Sequence, residues 1–242
     1  ISGEGERNAY TNQMAIGVDG SYHISWCWRE TGDVATNHDI CYAKSEDSGK
    51  TWLKSTGETY TLPITADNAE YIHRIPQQSE LINHTSMAVD SKGGVYIATY
   101  WRPQRTDVPQ FHLIYYNGSQ WKTSQIGHRT TPFSLSGFGS KRIPISRPKV
   151  LVDRKKRMYV IFRDNERGGN VSAAINDGHN FDQWQITDLT TESVGFWEPG
   201  YDTLLWEREN ILHLFVQNVG QGDAETLQKV PPQMVYVLEW KP

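Results

Sequence analysis

The chain has 242 residues, 37% hydrophobic and 12% aromatic, enough for a sizeable core in one β domain. Its formal net charge is −4 and it carries no basic run, which argues against nucleic acid or an anionic membrane as a partner. No apolar run is long enough to span a bilayer, and two cysteines do not make a disulfide scaffold.

Taken in chain order, alternating apolar and polar runs recur between Gly, Asn and Asp, and no amphipathic helix stands out. Four segments read as copies of one hairpin. The first has strands from Thr11 and from Ser21 to Arg29, a turn at Asp19-Gly20, and a third strand from Asp39 to Ser45. It ends in Ser45-Glu46-Asp47-Ser48-Gly49-Lys50-Thr51-Trp52, the S-x-D-x-G-x-T-W pattern of an Asp-box turn. In that pattern Asp47 accepts backbone N–H groups, and Gly49 takes positive φ. The second copy runs from His84 to Asp90, across Gly93-Gly94, along Val95 to Arg102, then Phe111 to Tyr116. The third runs from Arg147 to Asp153, then Met158 to Arg163, then Val171 to Ile175. The fourth reads as a strand from Tyr201 to Trp206, a turn at Asn210, and strands Ile211 to Gln217 and Met234 to Trp240. Trp52, Trp121 and Trp184 are expected to begin outer fourth strands.

Four-stranded units at a spacing of about 50 to 70 residues predict an all-β chain, a β-propeller of about four blades. The blades are expected over residues 10–60, 80–130, 145–190 and 197–242 of a single partial propeller. The fourth copy lacks an outermost strand, and glycine-rich Ile1 to Arg7 is a poor substitute. A missing N-terminal segment or a second chain is therefore expected to complete the ring. The start at Ile1 suggests a mature or excised piece.

Strand direction places chemistry at one rim. Tyr10, His84 and Arg147 start first strands, while Arg29, Arg102 and Arg163 end second strands, each after an aromatic residue. Arg29, Arg102, Arg147 and Arg163 facing a funnel suit a carboxylate or sulfate, which a guanidinium binds bidentately. Nine Trp and twelve Tyr also suit a sugar-binding surface. Cys27, His38, Cys41 and His84 are spaced for a structural Cys2His2 zinc site, with His73 or His112 as substitutes for His84. A Cys27–Cys41 disulfide and two buried thiols are the rival readings. Asp47 lies at an outer turn and reads as scaffold. Asn83-His84-Thr85, Asn117-Gly118-Ser119 and Asn170-Val171-Ser172 match the glycosylation sequon.

The stretches Asn8 to Asn12, Tyr22 to Thr31, Asn37 to Trp52 and Ser146 to Asp153 resemble the BNR-repeat proteins that include the propeller-type ulvan lyases. The resemblance covers nearly the whole chain and is to the C-terminal part of a seven-bladed ring. It implies a secreted or periplasmic lyase that cleaves a sulfated, uronate-containing polysaccharide by β-elimination. A base removes the proton at C5, a cation neutralises the carboxylate, and Tyr or His protonates the leaving O4. Tyr10 matches a rim Tyr of such sites, and the zinc site is one seen in relatives. The family's catalytic histidines and neutralising Arg lie in earlier blades, so activity is expected only once those blades complete the ring. A non-catalytic glycan-binding propeller is the alternative. So is a sialidase-like hydrolase, for which Glu198, Asp164 and Tyr201 are the tempting residues.

Overall fold

The structure, a computed structural model, describes residues 1–224, 226 and 228–242. Its strands form four antiparallel sheets, the blades of a propeller. Blade one contains β1 (Asn8–Thr11), β2 (Ala15–Ile16), β3 (Tyr22–Arg29), β4 (Asn37–Ser45) and β5 (Glu70–His73). β1 and β2 pair with opposite ends of β3, so they are one inner strand interrupted at 12–14. Blade two runs in order through β6 (Ser86–Val89), β7 (Val95–Trp101), β8 (Gln110–Tyr116) and β9 (Trp121–Ile126). Blade three repeats this with β10 (Lys149–Val152), β11 (Met158–Asp164), β12 (Asn170–Asn176) and β13 (Gln185–Asp188). Blade four holds the helix α1 (Thr203–Glu209), then β14 (Leu212–Val216) paired with β15 (Tyr236–Trp240).

The core lies between blades. β7 and β11 are buried along their whole length, because each is sandwiched by blades on both faces. Cys27, Tyr42, Ile97 and Ile114 pack blades one and two together. Tyr100, Phe111, Val160 and Phe162 pack two against three. Tyr159, Ile161, Trp206 and Leu214 pack three against four. The other face of blade one is covered by its own excursion, with Tyr60 and Ile64 against Trp26 and Trp28.

Polar contacts fix the register between blades. Asn12 Oδ1 accepts from the Thr85 amide and hydroxyl, both at 3.0 Å. Ser86 Oγ accepts from Val150 N (2.7 Å) and donates to Pro148 O (3.0 Å). Asp90 closes its hairpin by accepting from Lys92 N, Gly94 N and the Tyr96 hydroxyl, and it also meets Lys156 of blade three at 3.1 Å. Asp153 repeats the pattern with Lys155 N, Arg157 N and the Tyr159 hydroxyl. The Ser45–Trp52 octapeptide closes as its pattern predicts. Asp47 accepts from Lys50 N, Thr51 N and Thr51 Oγ1, and donation from Thr51 holds its carboxyl down to about 2.

Two sequence expectations need correction. Trp52 does not begin the outer strand of blade one. Leu53 makes only single bridges, and the strand paired to β4 is β5, beyond residue 60. The first strand of the fourth copy is instead α1, because Asp202 caps it at Leu205 N and Asn210 ends it in the left-handed conformation. Of that strand only the bridge from Tyr201 to Leu214 remains.

Two outcomes test this account. Asp90→Ala should lower stability by about 2–3 kcal/mol in urea unfolding, since it orphans the buried Tyr96 hydroxyl, two part-buried hairpin amides and a cross-blade lysine. His112 is buried, stacked on Trp101 at 3.6 Å, and burial pushes its pKa down to about 3. Below pH 6.5 the unfolded chain therefore binds the extra proton, and stability falls as pH drops toward 3. His112→Phe should remove up to about 1.4 kcal/mol per pH unit of that slope and leave stability at pH 7.5 little changed.

Candidate functional site at the arginine rim

Asn83 is buried just before β6, where three blades meet. Its Oδ1 accepts from Arg29 Nη2 (2.8 Å) at the end of β3 and from Asn37 Nδ2 (3.4 Å) at the start of β4. Its backbone carbonyl accepts from Arg147 Nε (2.9 Å), just before β10. Asn37 completes the frame by accepting from Arg29 Nε (2.7 Å) and donating to Leu81 O (2.8 Å). Asn83 of the Asn83-His84-Thr85 sequon is thus a buried polar hub, with its Oδ1 and carbonyl both engaged.

Arg29, Arg147 and Arg163 line one cavity of about 320 Å³ with Asn83, Lys141, Phe196 and Glu198. The three guanidiniums are not equivalent. Arg163 is 1% exposed and donates to Trp197 O, Pro144 O, Ile143 O and Asn165 Oδ1, so it mainly holds the wall. Arg29 is buried by its two asparagines and lies over the Tyr10 ring, with Cζ 4.0 Å from the centroid. Arg147 is the open one: 35% of its side chain is exposed, and its Nη1 lies 3.5 Å from Glu198 Oε1. Glu198 also accepts from the Arg147 amide at 2.8 Å. Desolvation in the cavity pushes the Glu198 carboxyl above its usual range against the pull of Arg147, Arg163 and Lys149.

Tyr10 and His84 sit beside this cavity. Their rings meet edge to face at 5.3 Å. His84 has φ 58, a left-handed conformation that a non-glycine residue seldom takes, and it is open to solvent. Desolvation by the surrounding rim, then the Arg147 and Arg29 charges, hold its imidazole below the usual 6.5. A second depression of about 550 Å³ continues from His84 to Gln13, Lys149 and Tyr201. The Arg147 guanidinium opens on the first depression and the His84 imidazole on the second, with the Tyr10 ring packed against both Arg29 and His84.

Arg102 lies elsewhere. Its guanidinium donates to Thr106 O and Gln78 O, where it pins the β7–β8 loop, and it does not line the cavity. The zinc expectation does not fit either. A register shift between Trp26 and Trp28 surrounds Cys27, which faces the blade one–two core; Cys41 faces Trp26 and Trp28 on the other side of the sheet. Both thiols are free, and burial pushes Cys27 up to about 12 and Cys41 well above its usual value. His38 has both ring nitrogens engaged, by Glu30 (2.7 Å) and Asp39 (3.1 Å). His73 and His112 both lie on Trp101. Among the described residues, no group of three or more His, Cys, Asp or Glu could hold a metal. Of the three readings, two buried thiols match this packing. Asp164 pairs with Arg129 at 2.7 Å and caps the turn at Glu166, so it is not a companion acid for Glu198.

The model of a family described as BNR repeat-containing matches residues 1–129. No curated protein matches the chain. Among solved structures, the chain is similar to an ulvan lyase described as a new family of polysaccharide lyase, PL25, also seen bound to -[GlcA(1-4)Rha3S]-. That match has a TM-score of 0.58 and 13% identity, covering 86% of this chain and 49% of the lyase. The chain is also similar to polysaccharide lyase Uly1, with a TM-score of 0.56 and 16% identity over 90% of this chain and 44% of that one. An α-L-arabinanase of Penicillium chrysogenum matches at 0.53 and 12% identity, over 99% and 64%. At these identities the likeness is one of fold. The chain spans about half the length of the lyases it matches.

The electrostatics of the rim give a direct readout. Titrated by NMR, His84 should show a pKa below that of a free imidazole. Arg147→Gln should move it upward, because it removes one of the two charges that disfavour the imidazolium. An upward shift in wild-type protein would contradict the description.

Proposed function

The chain belongs to the BNR repeat-containing family, and we propose that it binds a sulfated, uronate-containing polysaccharide at the arginine rim and takes part in its cleavage by β-elimination. The observation that carries this reading is the open Arg147 fork beside the Tyr10–His84 pair. Arg147, with Arg29 behind it, faces the uronate carboxylate and withdraws charge from it, which makes the C5 proton more acidic. Neutral His84 takes that proton. The C5–H electron pair forms the C4–C5 double bond, the C4–O4 bond breaks, and the Tyr10 hydroxyl protonates O4. Tyr10 suits the acid role because its hydroxyl makes no hydrogen bond among the described residues while its ring is fixed by Arg29 and His84.

A segment or second chain that completes the ring belongs to the same proposal, as does a secreted or periplasmic location. The matched lyases are about twice as long, so such a partner would add walls to the funnel.

Ulvan supplied to the protein in its natural length should yield the ultraviolet absorbance of an unsaturated uronate. His84→Ala and Tyr10→Phe should each lower kcat by roughly 10²-fold or more, and Arg147→Ala should raise KM as well. The acid limb of the pH–rate profile should fall below pH 6.5, following the lowered pKa of His84. Binding of ulvan without any such product would instead identify a glycan-binding propeller.

A further inference from the structure

A strap over residues 134–143 crosses from blade two to blade three and contributes Leu135, Gly139, Ser140, Lys141 and Ile143 to the cavity wall. Carboxylates from three distant places hold its backbone. Glu80 accepts from Leu135 N, Asp33 Oδ1 accepts from Gly137 N (2.8 Å), and Asp223 Oδ1 accepts from Arg142 N (2.7 Å). Ser136 Oγ adds a bond to Asp33 Oδ2 at 3.1 Å. Leu135 is buried in the blade two–three core and Phe133 packs on Tyr100 at 5.8 Å, so the strap is anchored by side chains as well.

Phe138 departs from this inward pattern. It lies between Gly137 (φ 110) and Gly139 (φ 75), backbone conformations that push its ring outward. The residue is 70% exposed. It rests against Gly32, where a Cβ would sit 2.5 Å from Phe138 Cε1, so only glycine allows that placement. Gly139, next to Phe138, and Val34, two residues beyond Gly32, line the arginine cavity. A large apolar ring, exposed to a ligand and seated against Gly32, thus lies next to residues that line a cationic pocket.

We propose that Phe138 is the stacking platform for the sugar next to the anionic one in the arginine cavity, so that the site reads at least a disaccharide unit. The C–H face of a pyranose ring is apolar and matches a flat aromatic surface, while its carboxylate or sulfate neighbour lies against Arg147. Lys141, three residues on, places a further cation at the same mouth. This inference rests on reading the cavity as an acidic-polysaccharide site.

The test measures binding, by calorimetry, of glucuronate and of a -[GlcA(1-4)Rha3S]- tetrasaccharide to the His84→Ala protein, which is expected not to turn them over. Phe138→Ala should weaken the tetrasaccharide roughly five- to tenfold and leave glucuronate unchanged, and Phe138→Trp should restore it. Gly32→Ala, which displaces the ring while keeping it, should mimic Phe138→Ala. An equal loss for both ligands, or no loss for the tetrasaccharide, would overturn the platform and leave the arginine site standing. Absence of any binding by protein with Phe138 intact would overturn both.

Discussion

Everything at the rim depends on the buried amide of Asn83. A buried guanidinium needs acceptors, and the end of β3 and start of β4 supply too few for Arg29. Asn83, from the blade-two connection, makes up the deficit, and its carbonyl takes Arg147 from blade three. One residue thereby sets the spacing of two cations that belong to different blades. Asn12 on blade one plays the matching part lower down, by holding Thr85 directly after His84. His84 is thus framed on both sides by residues fixed across a blade boundary, which accounts for its persistence in a left-handed conformation.

The same frame divides labour among cations that look alike in sequence. Arg163 and Arg102 give their donors to backbone carbonyls and act as wall ties. Arg29 is stacked and half engaged, and Arg147, held at Nε by Asn83 O, keeps a partly exposed fork beside Glu198. Clustering positive charge beside an imidazole has a second effect, since each guanidinium disfavours the imidazolium. The guanidiniums that line the cavity therefore add to desolvation in favouring the neutral form of the imidazole next to it.

Legibility from sequence followed the range of the interaction. The hairpins of blades two and three, the Asp47 turn and the rim position of Tyr10, Arg29, Arg147 and Arg163 all follow from strand alternation and turn chemistry within a few residues. α1 was hidden because Tyr201 to Trp206 alternates acceptably as a strand, and the deciding caps are single polar residues at its ends. The cysteine spacing does not show strand register: Cys41 pairs with Trp26, the residue before Cys27, so alternation puts the two thiols on opposite faces of the sheet. Phe138 gave no signal, as an isolated exposed aromatic between glycines looks like any loop.

The sequence by itself determined what each blade is, because a four-stranded unit is specified by period-two patterning and by Asp, Asn and Gly at its turns. Only the tertiary structure decided which arginine is available, that His84 meets Tyr10, and that a strap from between blades two and three presents Phe138 beside Gly32. Those outcomes come from contacts between residues far apart in the chain, where the supply of hydrogen-bond acceptors and the burial of neighbouring blades set the result. No local pattern records either quantity.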